Sequence, residues 1–179
     1  MTMRSTSERY GTVALALHWT SAALILALIP LGFAMQSAPD AARLGLYRVH
    51  VGIGILVGLL TLARLLWWLA LDRRPVPSVS HTLLQRRLAK AVHAGFYGVV
   101  LILAVSGIGM MAASPLGEAL ASGKLALMPA DLMNLPPRLA HGAMARLLMA
   151  LLVLHVAGAL YHHWVGRDGT LGRMAVRLR

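Results

Sequence analysis

The stretch Arg138–Trp164, RLAHGAMARLLMALLVLHVAGALYHHW, decides how this chain is read. It is long enough to cross a bilayer, whose hydrocarbon takes about 20 apolar residues. Past Arg138, Arg146 is its one Lys, Arg, Asp or Glu, and His141 and His155 lie fourteen residues apart within it. At about 100° per residue, fourteen steps bring a helix back to within roughly 40° of its starting face, about 21 Å further along. Two imidazoles are therefore expected on one face near opposite sides of a bilayer. That arrangement suits two planar cofactors hung one above the other.

Three more stretches have the same character. The four run approximately Thr12–Met35, Leu46–Ala70, Ala91–Ala113 and Leu139–Val165. The first and third carry no Asp, Glu, Lys or Arg, and the second carries only Arg48 and Arg64. Lipid offers backbone groups no partner, so such segments must be helices. Apolar residues make up 58% of the chain and charged ones 13%, with a mean hydropathy of +0.70, which excludes an ordinary soluble domain. The expected fold is all-α: one transmembrane domain over residues 1–179, an up-down four-helix bundle.

A net charge of +11 raises the question of nucleic acid, and its distribution answers it. Eleven of the seventeen basic residues fall on one side: Arg4, Arg9, Arg73, Arg74, Arg86, Arg87, Lys90, Arg167, Arg173, Arg177 and Arg179. Arg43, Arg48, Lys124 and Arg138 flank the other. An even number of helices puts both termini together, and the positive-inside rule assigns them to the cytoplasm. Trp19, Trp67, Trp68 and Trp164 lie toward that same boundary, as an aromatic belt would. The basic excess reads as an orientation signal, and nucleic acid is not an expected partner. A cleaved signal peptide is the rival reading of the first stretch. Its apolar run of about 24 residues exceeds the usual core of roughly 7–15, and removal would discard His18 and leave an odd number of spans.

The connections are short and marked by proline. Pro75 and Pro77 occupy the inner one, after which Ser80 is expected to cap the third helix in water. The outer connection, Ser114–Arg138, is the longest and holds Pro115, Pro129, Pro136 and Pro137. Its middle, GEALASGKLALM, is expected to form a short interfacial helix. The absence of cysteine removes disulfides, thiolate metal sites, iron–sulfur clusters and covalent heme attachment.

Depth sorts the histidines. With the N-terminus inside, His18 lies near the cytoplasmic side, His50 near the outer side with His141, and His93 and His155 in the cytoplasmic half. His50 and His141 are the intramembrane histidines at the outer level, so they pair. At the inner level His18, His93 and His155 compete, with His162 and His163 nearer water; the fourteen-residue spacing favours His155, and His18 is its best-embedded partner. A lone intramembrane histidine is often only an interhelical hydrogen-bond donor. Five at two matched depths are harder to treat so, because polar groups at membrane depth are expensive and usually functional. Imidazole also suits Zn, Cu and Ni, yet none of the spans carries a carboxylate to complete such a site. Two non-covalent b hemes, with iron held by His18, His50, His141 and His155, are the expected cofactors.

Other residues bear on this more weakly. Gly52, Gly54, Gly58, Gly95, Gly98, Gly107, Gly109, Gly142 and Gly158 would let a porphyrin approach the backbone, although Gly54-x-x-x-Gly58 equally matches small-residue helix packing. Arg64, fourteen residues after His50, lies at the inner level, where it either meets a heme propionate or snorkels to the interface. Met110 and Met111 read as packing, and His81 as a solvated loop residue. His93 and His162 are the candidates for proton exchange with a quinone, with pKa values near 6.5 when unperturbed.

The pieces LALHWTSAALI with His18, YRVHVGIGILVGLLTLARLLW with His50 and Arg64, KAVHAGFYGVVLILAVSGIGMM with His93, and HGAMARLLMALLVLHVAGALYHHWVGRDGTLGRM with His141, His155, His162 and His163 resemble the bacterial cytochrome b561 family over nearly the whole chain. The resemblance implies one heme between His50 and His141 and another between His18 and His155. It implies superoxide oxidation at the outer face coupled to reduction of ubiquinone. A related alternative is a cytochrome b anchor passing electrons from a hydrogenase or formate dehydrogenase partner to quinone; a homodimer is also compatible. A non-redox membrane adaptor would leave the histidines idle. The outer loop departs from the family pattern, and Arg146 stands where an uncharged residue is expected.

Overall fold

The computed structural model describes residues 2–76 and 82–175. His81, Pro77, Ser80, Arg177 and Arg179 lie outside the described residues. Among the described residues there is no strand, and five α-helices follow one another: α1 (Thr12–Ser37), α2 (Asp40–Leu66), α3 (Leu83–Ala112), α4 (Leu116–Ser122) and α5 (Pro136–Trp164). Four are long and apolar enough to span a membrane, with α2 extended to Leu71 by a single π-helical turn. The Trp67 indole N–H donates to Asp72 Oδ2 at 3.0 Å across that turn.

The helices are longer than the apolar runs because polar ends continue them into the interface. α2 begins at Asp40 rather than Leu46, and a carboxylate in a first turn complements the helix dipole. α3 begins at Leu83 rather than Ala91. A capping box starts it, with Gln85 N–H donating to Thr82 Oγ1 at 3.2 Å and Thr82 N–H to Gln85 Oε1 at 2.8 Å. Pro136 and Pro137 open α5, where their missing N–H groups cost nothing. The expected interfacial helix is α4, ended by Gly123 at φ 79° and seated by buried Leu116 and Ala119.

Packing is serial. α1 lies along α2, α2 along α3 and α3 along α5, whereas α5 has little backbone contact with α1 or α2. The small core of Val57, Val99, Val100 and Leu148 sits in the contiguous part, joined by Leu24, Ile25, Leu28, Phe96 and Leu151. A Cβ on Gly58 would stand 3.0 Å from the Ala104 Cβ, so this glycine serves close packing of α2 on α3. Gly54 has no such neighbour within 4 Å. Thus the two glycines of one motif do different work, and α5 joins the bundle mainly through α3. Outward-facing residues such as Leu59, Val105 and Val153 are exposed, as helices surrounded by lipid require.

Candidate functional site

Two pairs of imidazoles face each other between α5 and the α1–α2 pair. His50 of α2 and His141 of α5 have ring centroids 6.3 Å apart. His18 of α1 and His155 of α5 are 6.2 Å apart. An imidazole nitrogen sits about 2.0–2.1 Å from a metal and the ring centroid roughly 1.1 Å behind it, so rings on opposite sides of one ion stand about 6.3 Å apart. Both pairs match that separation. His93 of α3 also approaches His155, but at 5.4 Å, too close for the two rings to flank one ion. His93 Nδ1 lies 2.6 Å from the Ala89 carbonyl oxygen, so that nitrogen donates within its own helix. The two levels are separated by the fourteen residues from His141 to His155, about 21 Å of helix.

The surroundings orient the outer rings. The Ser106 hydroxyl donates to the Leu103 carbonyl at 3.1 Å and lies 3.0 Å from His141 Nδ1. With its one proton given to Leu103, Ser106 accepts from Nδ1–H, which leaves the lone pair on Nε2. Gly107 lies beside this ring, and Gly32 of α1 beside His50, where a Cβ would come within 3.4 Å of Cε1. His50 Nδ1 is buried without a hydrogen-bond partner. At the inner level His155 meets the edge of Phe96, and His18 that of Trp19. Among the described residues no group of three or more His, Asp and Glu gathers as a cage for a bare ion. Paired imidazoles on facing helices, one nitrogen fixed by a second partner, fit a planar macrocycle whose metal takes two axial ligands.

Arg64 stands at the inner level of α2, half-buried, with its Nε lacking a partner. Its guanidinium lies 6.0 Å from the Tyr97 ring and forms no ion pair among the described residues. A buried unpaired guanidinium calls for an anion, and a porphyrin propionate has the right chemistry. His162, expected only to share the face of His155, has a partner that the sequence did not suggest. Its Nδ1 lies 2.5 Å from Asp168 Oδ2, and Asp168 Oδ1 accepts the Thr170 N–H at 2.9 Å. The turn that brings Asp168 back places Arg167 at φ 45° and Gly169 at φ 74°, a reversal hidden in the stretch GRDGT. Arg138 and Arg146 both reach toward Gly142, next to His141. The unexpected Arg146 therefore adds to a basic patch at the outer pair.

A helical membrane bundle with facing histidine pairs at two levels is the architecture of a membrane electron-transfer cytochrome. The model of the prokaryotic cytochrome b561 family matches residues 9–175, and the chain belongs to that family. It is accordingly a multi-pass membrane protein of electron transport with heme b as its cofactor type. Cytochrome b561 homolog 2 of Escherichia coli (strain K12) is 29% identical over 97% of this chain and 95% of its own length. Cytochrome b562 of Cereibacter sphaeroides is 30% identical over 92% of this chain and 94% of its own.

Proposed function

We propose that the chain binds two b hemes and moves electrons from superoxide to ubiquinone. The observation that carries this reading is the pair of histidine–histidine separations, 6.3 and 6.2 Å, at two levels of α5. His50 and His141 would hold the outer heme and His18 and His155 the inner one, with Arg64 receiving a propionate. Bound heme supplies the one-electron couples; the protein supplies ligands, burial and nearby charge that set their potentials. Ser106 would hold the His141 ring through Nδ1 and leave Nε2 for iron.

Two superoxide anions each give up one electron and leave as dioxygen. One ubiquinone takes two electrons and two protons and leaves as ubiquinol. The outer step asks for access and for positive charge rather than a shaped pocket. Arg138 and Arg146 beside His141 provide that charge, supported by Lys124, while Arg43 pairs with Asp40 at 3.9 Å and Arg48 is committed to the Leu120 carbonyl at 2.6 and 2.8 Å. The inner step asks for protons. His162 with Asp168 is the candidate group at the end of the bundle that carries both termini, with His93 as the second candidate. The basic excess at that end supports cytoplasmic termini in a bacterial inner membrane.

Stopped-flow mixing of the purified, oxidised chain with superoxide, followed at the heme absorbance, tests the reading. Reduction by superoxide and reoxidation by a soluble ubiquinone analogue are expected. Hemes that ignore superoxide but are reduced by a co-purifying dehydrogenase subunit would replace it with the anchor role.

A further inference from the structure

The end of the bundle that carries both termini holds a second feature, separate from the histidines. The N-terminal segment folds back onto the chain just beyond α2. Ser5 donates through its N–H to both oxygens of Asp72, at 3.0 and 3.1 Å, and through its hydroxyl to Oδ2 at 2.8 Å. Val76 N–H donates to the Ser7 carbonyl at 3.0 Å. Between the two strands of this clamp lies an open depression of about 310 Å³, lined by Ser5, Thr6, Ser7, Arg73, Arg74 and Val76.

The chemistry of that lining is one-sided. It presents two adjacent arginines and the hydroxyls of Thr6 and Ser7, that of Ser5 being committed to Asp72, and no carboxylate belongs to it. Asp72 adjoins it, but its oxygens are occupied by Ser5, by the Trp67 indole and by the Arg73 N–H at 2.8 Å. Glu8 on the same turn is exposed. Neither Arg73 nor Arg74 forms an ion pair among the described residues. A third guanidinium closes the rim, with Arg173 donating to the Val76 carbonyl at 2.7 Å. The Arg74 guanidinium lies 5.5 Å from the Trp68 ring, which anchors it at the aromatic belt where the second span has just ended at Leu71. Arginine forks and hydroxyls recognise phosphate oxygens, and this position is the depth of lipid headgroups.

We infer that this depression is a binding site for anionic phosphate oxygens, supplied by the headgroup of an anionic phospholipid or by free phosphate. Occupancy would tie the N-terminal segment to the end of α2. Native mass spectrometry of the full chain in neutral detergent tests it, with short-chain phosphatidylglycerol, phosphatidylcholine of the same chains, and inorganic phosphate as probes. Phosphatidylglycerol is expected to bind in preference to phosphatidylcholine. Arg73→Gln/Arg74→Gln is expected to weaken it at least about tenfold, through loss of charge-assisted contacts. Arg86→Gln/Arg87→Gln, an equal charge loss near the same end, should change it less than about twofold. Phosphate that binds and displaces the lipid assigns the site to free phosphate; phosphate that does not assigns it to lipid. Equal binding of phosphatidylcholine, or equal losses in the two double variants, overturns the site. Should the first double variant fail to fold, Arg73→Lys/Arg74→Lys keeps the charge but loses the fork, and Ser7→Ala loses one hydroxyl. Each is expected to weaken phosphatidylglycerol several-fold, and unchanged affinity in both refutes the inference.

Discussion

Ser106→Ala isolates how the protein controls the outer ring. Ser106 is 7% exposed, and its hydroxyl lies 3.0 Å from His141 Nδ1. Removing it puts a methyl group that cannot accept in its place and leaves the ring only the Leu103 carbonyl. Loss of such an outer partner costs about 10–100-fold in metal affinity, or about 1.4–2.8 kcal/mol. The sign of the redox effect follows from the same bond. An imidazole that donates through Nδ1 is more basic at Nε2 and favours the more highly charged iron, so its loss should raise the outer midpoint potential. If the bond holds the oxidised iron up to tenfold better than the reduced one, the rise is at most about 59 mV for one electron. Potentiometric titration at the heme absorbance resolves the outer component, and heme content per chain reports retention. An unchanged outer midpoint with full heme content would refute the role given to Ser106.

The inner level makes its own prediction: His18→Ala should remove one heme, while His93→Ala should leave both bound, since the 5.4 Å spacing of His93 and His155 does not suit axial ligands. Pyridine hemochrome content measures this, and the reverse outcome transfers the ligand role to His93. Arg138→Gln/Arg146→Gln should slow reduction by superoxide several-fold at low salt and flatten its ionic-strength dependence, with quinone reoxidation unaffected. Equal slowing at high salt would point to a structural effect instead. Outside the spans, hydrogen bonds from Ser5, Arg73 and Trp67 outweigh the burial that alone would raise it and hold the Asp72 carboxyl below its usual value of 3.8. A depressed folded pKa means the clamp is fully stabilised above about pH 4 and weakens as pH falls through the folded value. Protection of the Ser5 and Val76 amides, measured against their intrinsic exchange at each pH, should therefore fall only in acid, and Asp72→Asn should lower protection of the Ser5 amide at neutral pH.

The spans were legible because lipid leaves a chain few choices: an apolar run of sufficient length becomes a helix. Their ends were less so. Asp40 and Thr82 start helices by capping and dipole chemistry that hydropathy does not register, and Gln85 three residues after Thr82 was the overlooked signal. Among the site residues, the fourteen-residue spacing put His141 and His155 on one face. It could not say which of His18 and His93 stands about 6 Å from His155, because that depends on how the helices pack. Asp168 escaped notice because its partner His162 is reached only through a turn at Arg167 and Gly169. Arg146 was visible as an anomaly, and its place beside Gly142 and Arg138 gives it a setting.

The central claim is that two histidine pairs each hold a heme through both axial positions. Heme quantitation per chain, combined with low-temperature electron paramagnetic resonance of the oxidised protein, tests it most directly. The account predicts two hemes per chain and two low-spin ferric signals from imidazole pairs, one of which disappears in His141→Ala and the other in His155→Ala. A single heme per chain, or a wild-type high-spin signal from iron with one protein ligand, would contradict it.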